Sequence, residues 1–281
     1  MKPDLFAPDA YFGAFGFVVL RQALTSSETV QLRRESEHTI RDATGPWYRH
    51  RDGGGGIEGH YIPATGEHTP LSLELAERFA ATAERLLGLP VLFGFAHHTL
   101  FFDAAGWHTD TGHDVPSLKV AAYLDPLDAA NGALRVLPCS HRVPWQPLHA
   151  LLQGPAFGDE TTWRDATDEV PGITLATSPG DVIVFDEHLW HASIGGRDRR
   201  QWSAVYVKDP VTAGDDAAVG RFLASQFSPA NGLDYDPTNY PYYGNHFRAV
   251  APRRWVAQLE RLGAFTAAAA EEAGGRRAPP R

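Results

Sequence analysis

Cysteine is nearly absent from this chain: Cys139 is the one thiol in 281 residues. No internal disulfide can form, which removes stapled secreted scaffolds, and neither a multi-thiolate zinc site nor an iron–sulfur cluster can be assembled. Lysine is scarce too, since only Lys2, Lys119 and Lys208 stand among the 25 basic residues. Acids outnumber bases, and the net charge is −9. A general nucleic-acid binder needs a basic surface to displace counterions, so that class is excluded. Long apolar runs are missing: Phe12–Leu20 and Val91–Ala96 fall far short of the roughly 20 residues that span a bilayer. The amino terminus, Met1 to Asp9, carries prolines and acids where a secretory signal has a basic start and an apolar run. The expectation is a soluble, cytoplasmic protein with no membrane and no nucleic-acid partner. Any metal must be held by histidine and carboxylate.

What is present is enough apolar material for a core, with 43% hydrophobic and 11% aromatic residues. Residues 8–20 read as a short helix running into the strand Gly16–Leu20. Thr25-Ser-Ser-Glu28 is a capping box, which starts a solvent-facing helix to about Ala43. Gly53–Gly56 is a loop, because four glycines lose too much entropy in a helix or strand, and it lacks the Gly-Lys-Ser/Thr ending of a phosphate cradle. Leu71–Leu87 has helical spacing of Leu73, Leu75, Phe79 and Ala83, with Gly88 and Pro90 as stop signals. From Val91 the texture changes to short β-branched and aromatic runs between turns: Val91–Phe102, Leu118–Leu124, Ala133–Leu137, Ile173–Thr177, Val182–Phe185 and Trp202–Val207. Asn131-Gly132 is the strongest turn signal among them. Residues 145–170 have no period and read as an insertion. Arg253–Ala270 reads as helix, and Gly274–Arg281 as a frayed tail. The pattern predicts a mainly β protein, a sandwich or barrel with flanking helices, rather than alternating βαβ units.

His-x-Asp brings an imidazole and a carboxylate to one face of an extended segment. With 13 histidines such a tripeptide arises readily by chance, and two are present. His50-Arg-Asp52 abuts the glycine run and reads as a mobile loop. His108-Thr-Asp110 follows the apolar strand that ends at Phe102, a strand-end position where a barrel mouth can hold a metal. A facial triad needs one more distant histidine and leaves three positions open. His191, after the buried-type strand Val182–Phe185, is the best candidate. Beyond it Arg197, Arg199 and Arg200 precede the strand Trp202–Val207, where an arginine can pair bidentately with a dicarboxylate lying against the metal.

Three blocks taken together resemble the phytanoyl-CoA hydroxylase type of non-haem iron(II), 2-oxoglutarate-dependent oxygenases. They are Trp107-His-Thr-Asp110, Asn131-Gly-Ala-Leu-Arg-Val-Leu-Pro-Cys-Ser-His141, and Gly180-Asp-Val-Ile-Val-Phe-Asp186 running to His191. The opening helix and strand are also similar, so the resemblance covers about residues 8–210. It implies a double-stranded β-helix, or jelly-roll, core and a single oxygenase domain. The helical flank would span about 1–90, the core about 91–210, a loop and helix about 211–270, and the tail 271–281. It implies iron ligands His108, Asp110 and His191. It implies 2-oxoglutarate on Arg199, with Arg200 as the alternative, and Ser193 beside it. Lys119 can instead meet the cosubstrate, as lysine does in some related barrels. Of His97-His98, one ring points inward, either to cosubstrate or substrate or as a structural group. Cys139 stands where the family usually has glycine, and eight residues separate His191 from Arg199 where ten or eleven are usual.

The expected activity is O2-dependent oxidation of an unactivated C–H bond, by hydroxylation or oxidative ring closure, with release of succinate and CO2. Asp110 favours this over halogenation, because halogenases need an open position where that carboxylate sits. The expected substrate is a small bacterial natural-product intermediate, sugar-containing or amine-bearing. The alternatives are a non-redox cupin-like metalloenzyme and a catalytically silent jelly-roll binding module. Among the remaining residues, His188 reads as surface. Trp145, Trp163, Trp190, Tyr240, Tyr242 and Tyr243 are either core or pocket floor, and Asn239–His246 is a candidate lid.

Overall fold

The computed structural model describes residues 7–41, 43, 47–49, 57–102, 104–143, 170, 172–226, 233–234, 236 and 238–265. Proline at the first turn suits the unpaired N–H groups there, and α1 (Pro8–Phe15) begins on Pro8. It ends at Gly16, whose φ of 84° lets its N–H reach back to the Phe12 carbonyl. β1 (Phe17–Leu20) follows. The capping box forms reciprocally. The Thr25 N–H donates to Glu28 Oε2 at 2.7 Å, and the Glu28 N–H donates to Thr25 Oγ1 at 3.2 Å, which starts α2 (Ser26–Arg41). This helix is less solvent-facing than its charge suggests. Leu32 and Ser36 are fully buried, because one face packs on the sheet.

β2 (Trp47–Arg49) and β3 (Ile57–Pro63) precede α3 (Pro70–Leu87), which Gly88 closes in a left-handed turn. Then come β4 (Val91–Phe101), β5 (Ala105–His108), β6 (Ser117–Tyr123), β7 (Leu134–Val136), β8 (Ile173–Leu175), β9 (Val182–Asp186), β10 (His191–Ser193) and β11 (Arg199–Lys208). The carboxy-terminal part adds α4 (Ala213–Gln226), β12 (Leu233–Asp234), α5 (Asn245–Val250) and α6 (Arg253–Arg261). The last helix is therefore shorter than its apolar pattern predicts. His50-Arg-Asp52, the glycine run, the insertion at 145–169 and the tail lie outside the described residues.

The strands form two antiparallel sheets, an eight-stranded one in the order β1-β9-β6-β11-β4-β3-β2-β12 and a four-stranded one in the order β5-β10-β7-β8. The amino-terminal part is thus not only a helical flank, since β1, β2 and β3 all join the large sheet. The sheets face one another as a jelly roll. Phe17, Tyr123, Leu134, Val136, Ile183 and Phe185 form one core cluster between them. Helices cover the other face of the large sheet. Trp202 is fully buried there, its Nε1–H donating to Ser72 Oγ at 2.7 Å, and Phe93 stacks on Trp255 at 4.9 Å between ring centres.

Register decides which face each side chain takes. On β11, Arg199 pairs with Phe101, Gln201 with Thr99 and Ser203 with His97, and all six point between the sheets. The intervening Arg200 and Trp202 point to the helices. Among the described residues, no helix is long and apolar enough to cross a membrane.

Candidate metal centre

Two very short strands bring two histidines face to face. β5 and β10 pair antiparallel with His191 opposite His108. Alternation sends Trp107 and Ala192 outward, where they pack with Trp190, and sends both imidazoles inward with ring centres 4.2 Å apart. Trp190 therefore belongs to an outer apolar cluster and not to a pocket floor. The block around Asn131–His141 secures this arrangement. Ser140 Oγ accepts the Trp190 N–H at 2.9 Å, and the Leu137 N–H donates to the Trp190 carbonyl at 2.9 Å, one residue before His191. Cys139, in the place of the usual glycine, adopts a φ of 68°, so the turn keeps a left-handed geometry with a side chain on it.

Asp110 is placed by its backbone. Its N–H and that of Thr111 both donate to the Glu187 carbonyl, at 2.9 and 3.4 Å. Its Oδ1 then lies 3.7 Å from His108 Nε2 and 3.6 Å from His191 Nε2. Ligand-capable atoms of the three side chains all fall within 4.8 Å of one another, the one such group among the described residues. The Nδ1 atoms face carbonyls, at 2.7 Å from Gly106 for His108 and 2.9 Å from Leu189 for His191. A nitrogen against a carbonyl carries the proton, so each Nε2 presents a lone pair to the shared space. Loss of solvent holds both imidazoles below their ordinary pKa, which keeps them neutral. Burial would raise the Asp110 carboxyl, but the Lys119 ammonium that donates to it outweighs burial and holds it ionised. Two imidazole nitrogens and one carboxylate oxygen on two short segments suit a ferrous ion with open positions.

The other residues expected at the site fall on known faces. Arg199 is buried on the inner face, its guanidinium 4.9 Å from the Phe101 ring centre. Its Nη1 donates to Ser193 Oγ and, at 3.2 Å, to the Gly132 carbonyl, which Ser193 Oγ also reaches at 2.6 Å. This explains the Asn-Gly turn. A Cβ on Gly132 would meet the Gly195 carbonyl at 2.3 Å and Arg199 Cδ at 2.8 Å, and its φ is 91°. Arg200 does not join the centre. One residue of alternation turns it outward, where it pairs with Asp125 at 2.6 Å and Glu37 at 2.7 Å. Lys119 is inside but not free for a cosubstrate, because its Nζ donates to Asp110 Oδ2 at 2.6 Å. His97 faces inward, with Nε2 3.0 Å from Ser203 Oγ, and burial pushes its pKa down to about 3. His98 faces the helices.

His188 is no free surface group. Its ring bonds Asp186 Oδ1 at 2.8 Å and the His113 carbonyl at 2.7 Å. Burial would lower its pKa, but Asp186 and the carbonyl lift it to about 9. Nor is the segment around Tyr242 and Tyr243 an open lid. Both rings are buried, Tyr242 edge-on to Phe95 and the Tyr243 hydroxyl on the Gly94 carbonyl. Trp145 and Trp163 lie outside the described residues. Sequence reasoning missed Glu187, fully buried between the Asp110 segment and His191, and Tyr123 with Gln201 beside Arg199. Counting inward positions along β6 from Lys119 reaches Tyr123. No comparable signal marked Glu187.

Solved structures share this architecture at low identity. SnoN, an epimerase crystallised with Fe3+, alpha ketoglutarate and nogalamycin RO, has a TM-score of 0.57 at 21% identity over 72% of this chain and 82% of its own. SnoK, a carbocyclase from nogalamycin biosynthesis, has 0.57 at 16% over 83% and 95%. EctD from S. alaskensis, with 2-oxoglutarate and 5-hydroxyectoine, has 0.53 at 20% over 74% and 78%. Such likeness shows the fold. No curated protein matches the sequence. Residues 12–200, most of the chain, match the profile of one family, and with it the chain belongs to the phytanoyl-CoA dioxygenase (PhyH) family.

Proposed function

We propose that His108, Asp110 and His191 hold the iron(II) of this 2-oxoglutarate-dependent oxygenase, and that Arg199 with Ser193 receives the distal carboxylate of the cosubstrate. The observation that carries this reading is the convergence of the His108 and His191 Nε2 atoms on Asp110 Oδ1, at 3.7 and 3.6 Å. When bound, iron and 2-oxoglutarate supply an O2-dependent oxidation of a substrate C–H bond with release of succinate and CO2. The chain's own contribution is to place and to seal. The backbone carbonyls of Gly106 and Leu189 orient the imidazoles. Arg199 offers a fixed planar donor pair that a carboxylate can accept from, with the Ser193 hydroxyl beside it. The apolar cluster of Phe17, Tyr123, Ile183 and Phe185 keeps water out below the centre.

The substrate in this reading is a small bacterial natural-product intermediate met in the cytoplasm, and the whole chain acts as one oxygenase domain. SnoN and SnoK, named for steps of nogalamycin biosynthesis, support that class. The inner face favours a hydroxylated ring, as in a sugar-bearing intermediate, over an amine. Its strand positions carry Tyr61, His97, Thr99, Phe101, Gln201 and Ser203, and the two buried carboxylates beside it, Asp110 and Glu187, both already act on Lys119. Tyr61 lies edge-on to His97 and Phe101, at 5.2 and 5.7 Å, an aromatic wall of the kind sugar and polyketide rings pack on.

The test is anaerobic addition of iron(II) and 2-oxoglutarate, which should raise a weak visible charge-transfer band, followed by succinate assay with glycosylated aromatic intermediates. Wild-type protein without the band, or a His108→Ala variant that keeps full succinate production, would sink the assignment.

A further inference from the structure

Lys119 sits at the middle of β6, between β9 and β11, with its side chain 13% exposed. A lysine so placed is costly unless its charge is met, and the Asp110 carboxylate meets it. Asp110 Oδ2 accepts from Nζ at 2.6 Å, and the fully buried Glu187 acts on the ammonium through space, without a hydrogen bond to it. Nζ is also 5.9 Å from the ring centre of Phe185, a ring that packs against His191 at 4.9 Å. The two oxygens of Asp110 thus have separate partners. Oδ1 faces both imidazole Nε2 atoms, and Oδ2 is occupied by the ammonium.

We infer that Lys119 is a positioning residue that restricts Asp110 to binding metal through Oδ1 alone, so that three positions on the metal stay open. The inference rests on the triad holding a metal, as proposed above. A carboxylate with both oxygens unrestrained can turn and place both on one cation. That would take one of the positions that a bidentate cosubstrate and O2 require together. Lys119 prevents it from a rigid base, since its strand pairs on both edges. Swinging away would leave the buried Asp110 carboxylate without its charge partner. The Asp110 backbone cannot follow, because its N–H is bound to the Glu187 carbonyl at 2.9 Å.

A role in fold stability alone makes a different prediction. Replacing a buried ion pair member by an apolar side chain changes folding stability but leaves the number of metal positions untouched. The experiment uses full-length protein loaded with Mn(II), without cosubstrate, and counts exchangeable water positions from line broadening in oxygen-17 water. Wild type should show three. Lys119→Met should lose one of the three, and Lys119→Arg, which restores a cationic donor, should recover it. Three positions in folded, Mn(II)-loaded Lys119→Met overturn the inference. Should that variant fail to fold or to take up Mn(II), Lys119→Ala with and without propylammonium carries the same test. A count that rises from two to three on adding the amine supports the inference, and three in both conditions overturns it. Failure of the wild type itself to take up Mn(II) sinks the triad reading instead, so the two failures are distinguishable.

Discussion

Strands β4 and β11 each carry two neighbouring residues of one type with opposite surroundings. Arg199 and His97 point between the sheets, and Arg200 and His98 point to the helices. Inside, the polar groups converge on one another: Arg199 on Ser193 and Gly132, His97 on Ser203. On the helix side Arg200 is tied into surface ion pairs, and His98 is fully buried with neither ring nitrogen on a protein partner. One face is arranged to receive something, and the other is arranged to be covered. The lesson is that residue type says little here, and parity along the strand says most.

The largest test of that contrast is the arginine pair. Arg199→Ala should weaken 2-oxoglutarate binding by about 100-fold or more, measured by titration of the charge-transfer band, because a buried charge-assisted contact is worth roughly 3–5 kcal/mol. Arg200→Ala should leave that affinity within about twofold and cost only about 1 kcal/mol of stability, as partly exposed ion pairs do. Equal losses from both would erase the distinction. Next comes Trp202 against its neighbour Ser203. Trp202→Ala should destabilise by roughly 3–5 kcal/mol in urea unfolding, through loss of packed volume and of the Ser72 bond. Ser203→Ala should cost under about 1.5 kcal/mol, the usual worth of one hydrogen bond.

The smallest effect concerns the histidine pair. His98→Leu should raise stability by about 1–2 kcal/mol, since it removes two buried nitrogens without partners. Burial pushes the folded pKa of His98 down to about 3, below its unfolded value near 6.5. The unfolded chain therefore binds the proton first, and stability is lost as pH falls from about 6.5 towards 3. His98→Leu should flatten that acid limb in pH-dependent melting. A limb unchanged by the substitution would show that His98 is not the group concerned.

Helices and long strands were legible because each carries a repeated signal. Thr25–Glu28 caps α2, the Leu73–Ala83 spacing makes α3, and the apolar run from Val91 makes β4. Strands β5 and β10 were not legible as strands. Ala-Gly-Trp-His and His-Ala-Ser are too short for any period, and they exist because they pair with each other. The candidate ligands were nevertheless found from spacing and motif, since His-x-Asp needs no knowledge of the ladder. Arg199 and Arg200 could be separated by alternation but not ordered by it, because parity needs an anchor such as buried Trp202. The Lys119–Asp110 contact lay beyond reach for another reason. It depends on the turn between β5 and β6 folding back over β6, which no local pattern records.

The opposition of His108 and His191 across a backbone ladder has a consequence for how such a protein can change. Their separation is set by the spacing of paired strands, and Asp110 is located by main-chain bonds to the carbonyl of Glu187. These constraints are main-chain ones, to which the side chain of Ser140, holding the Trp190 N–H, is the addition from a neighbouring loop. The rim can accept insertions, deletions and new contacts while the three groups keep their mutual distances. Innovation in what is recognised is thereby uncoupled from the chemistry at the centre.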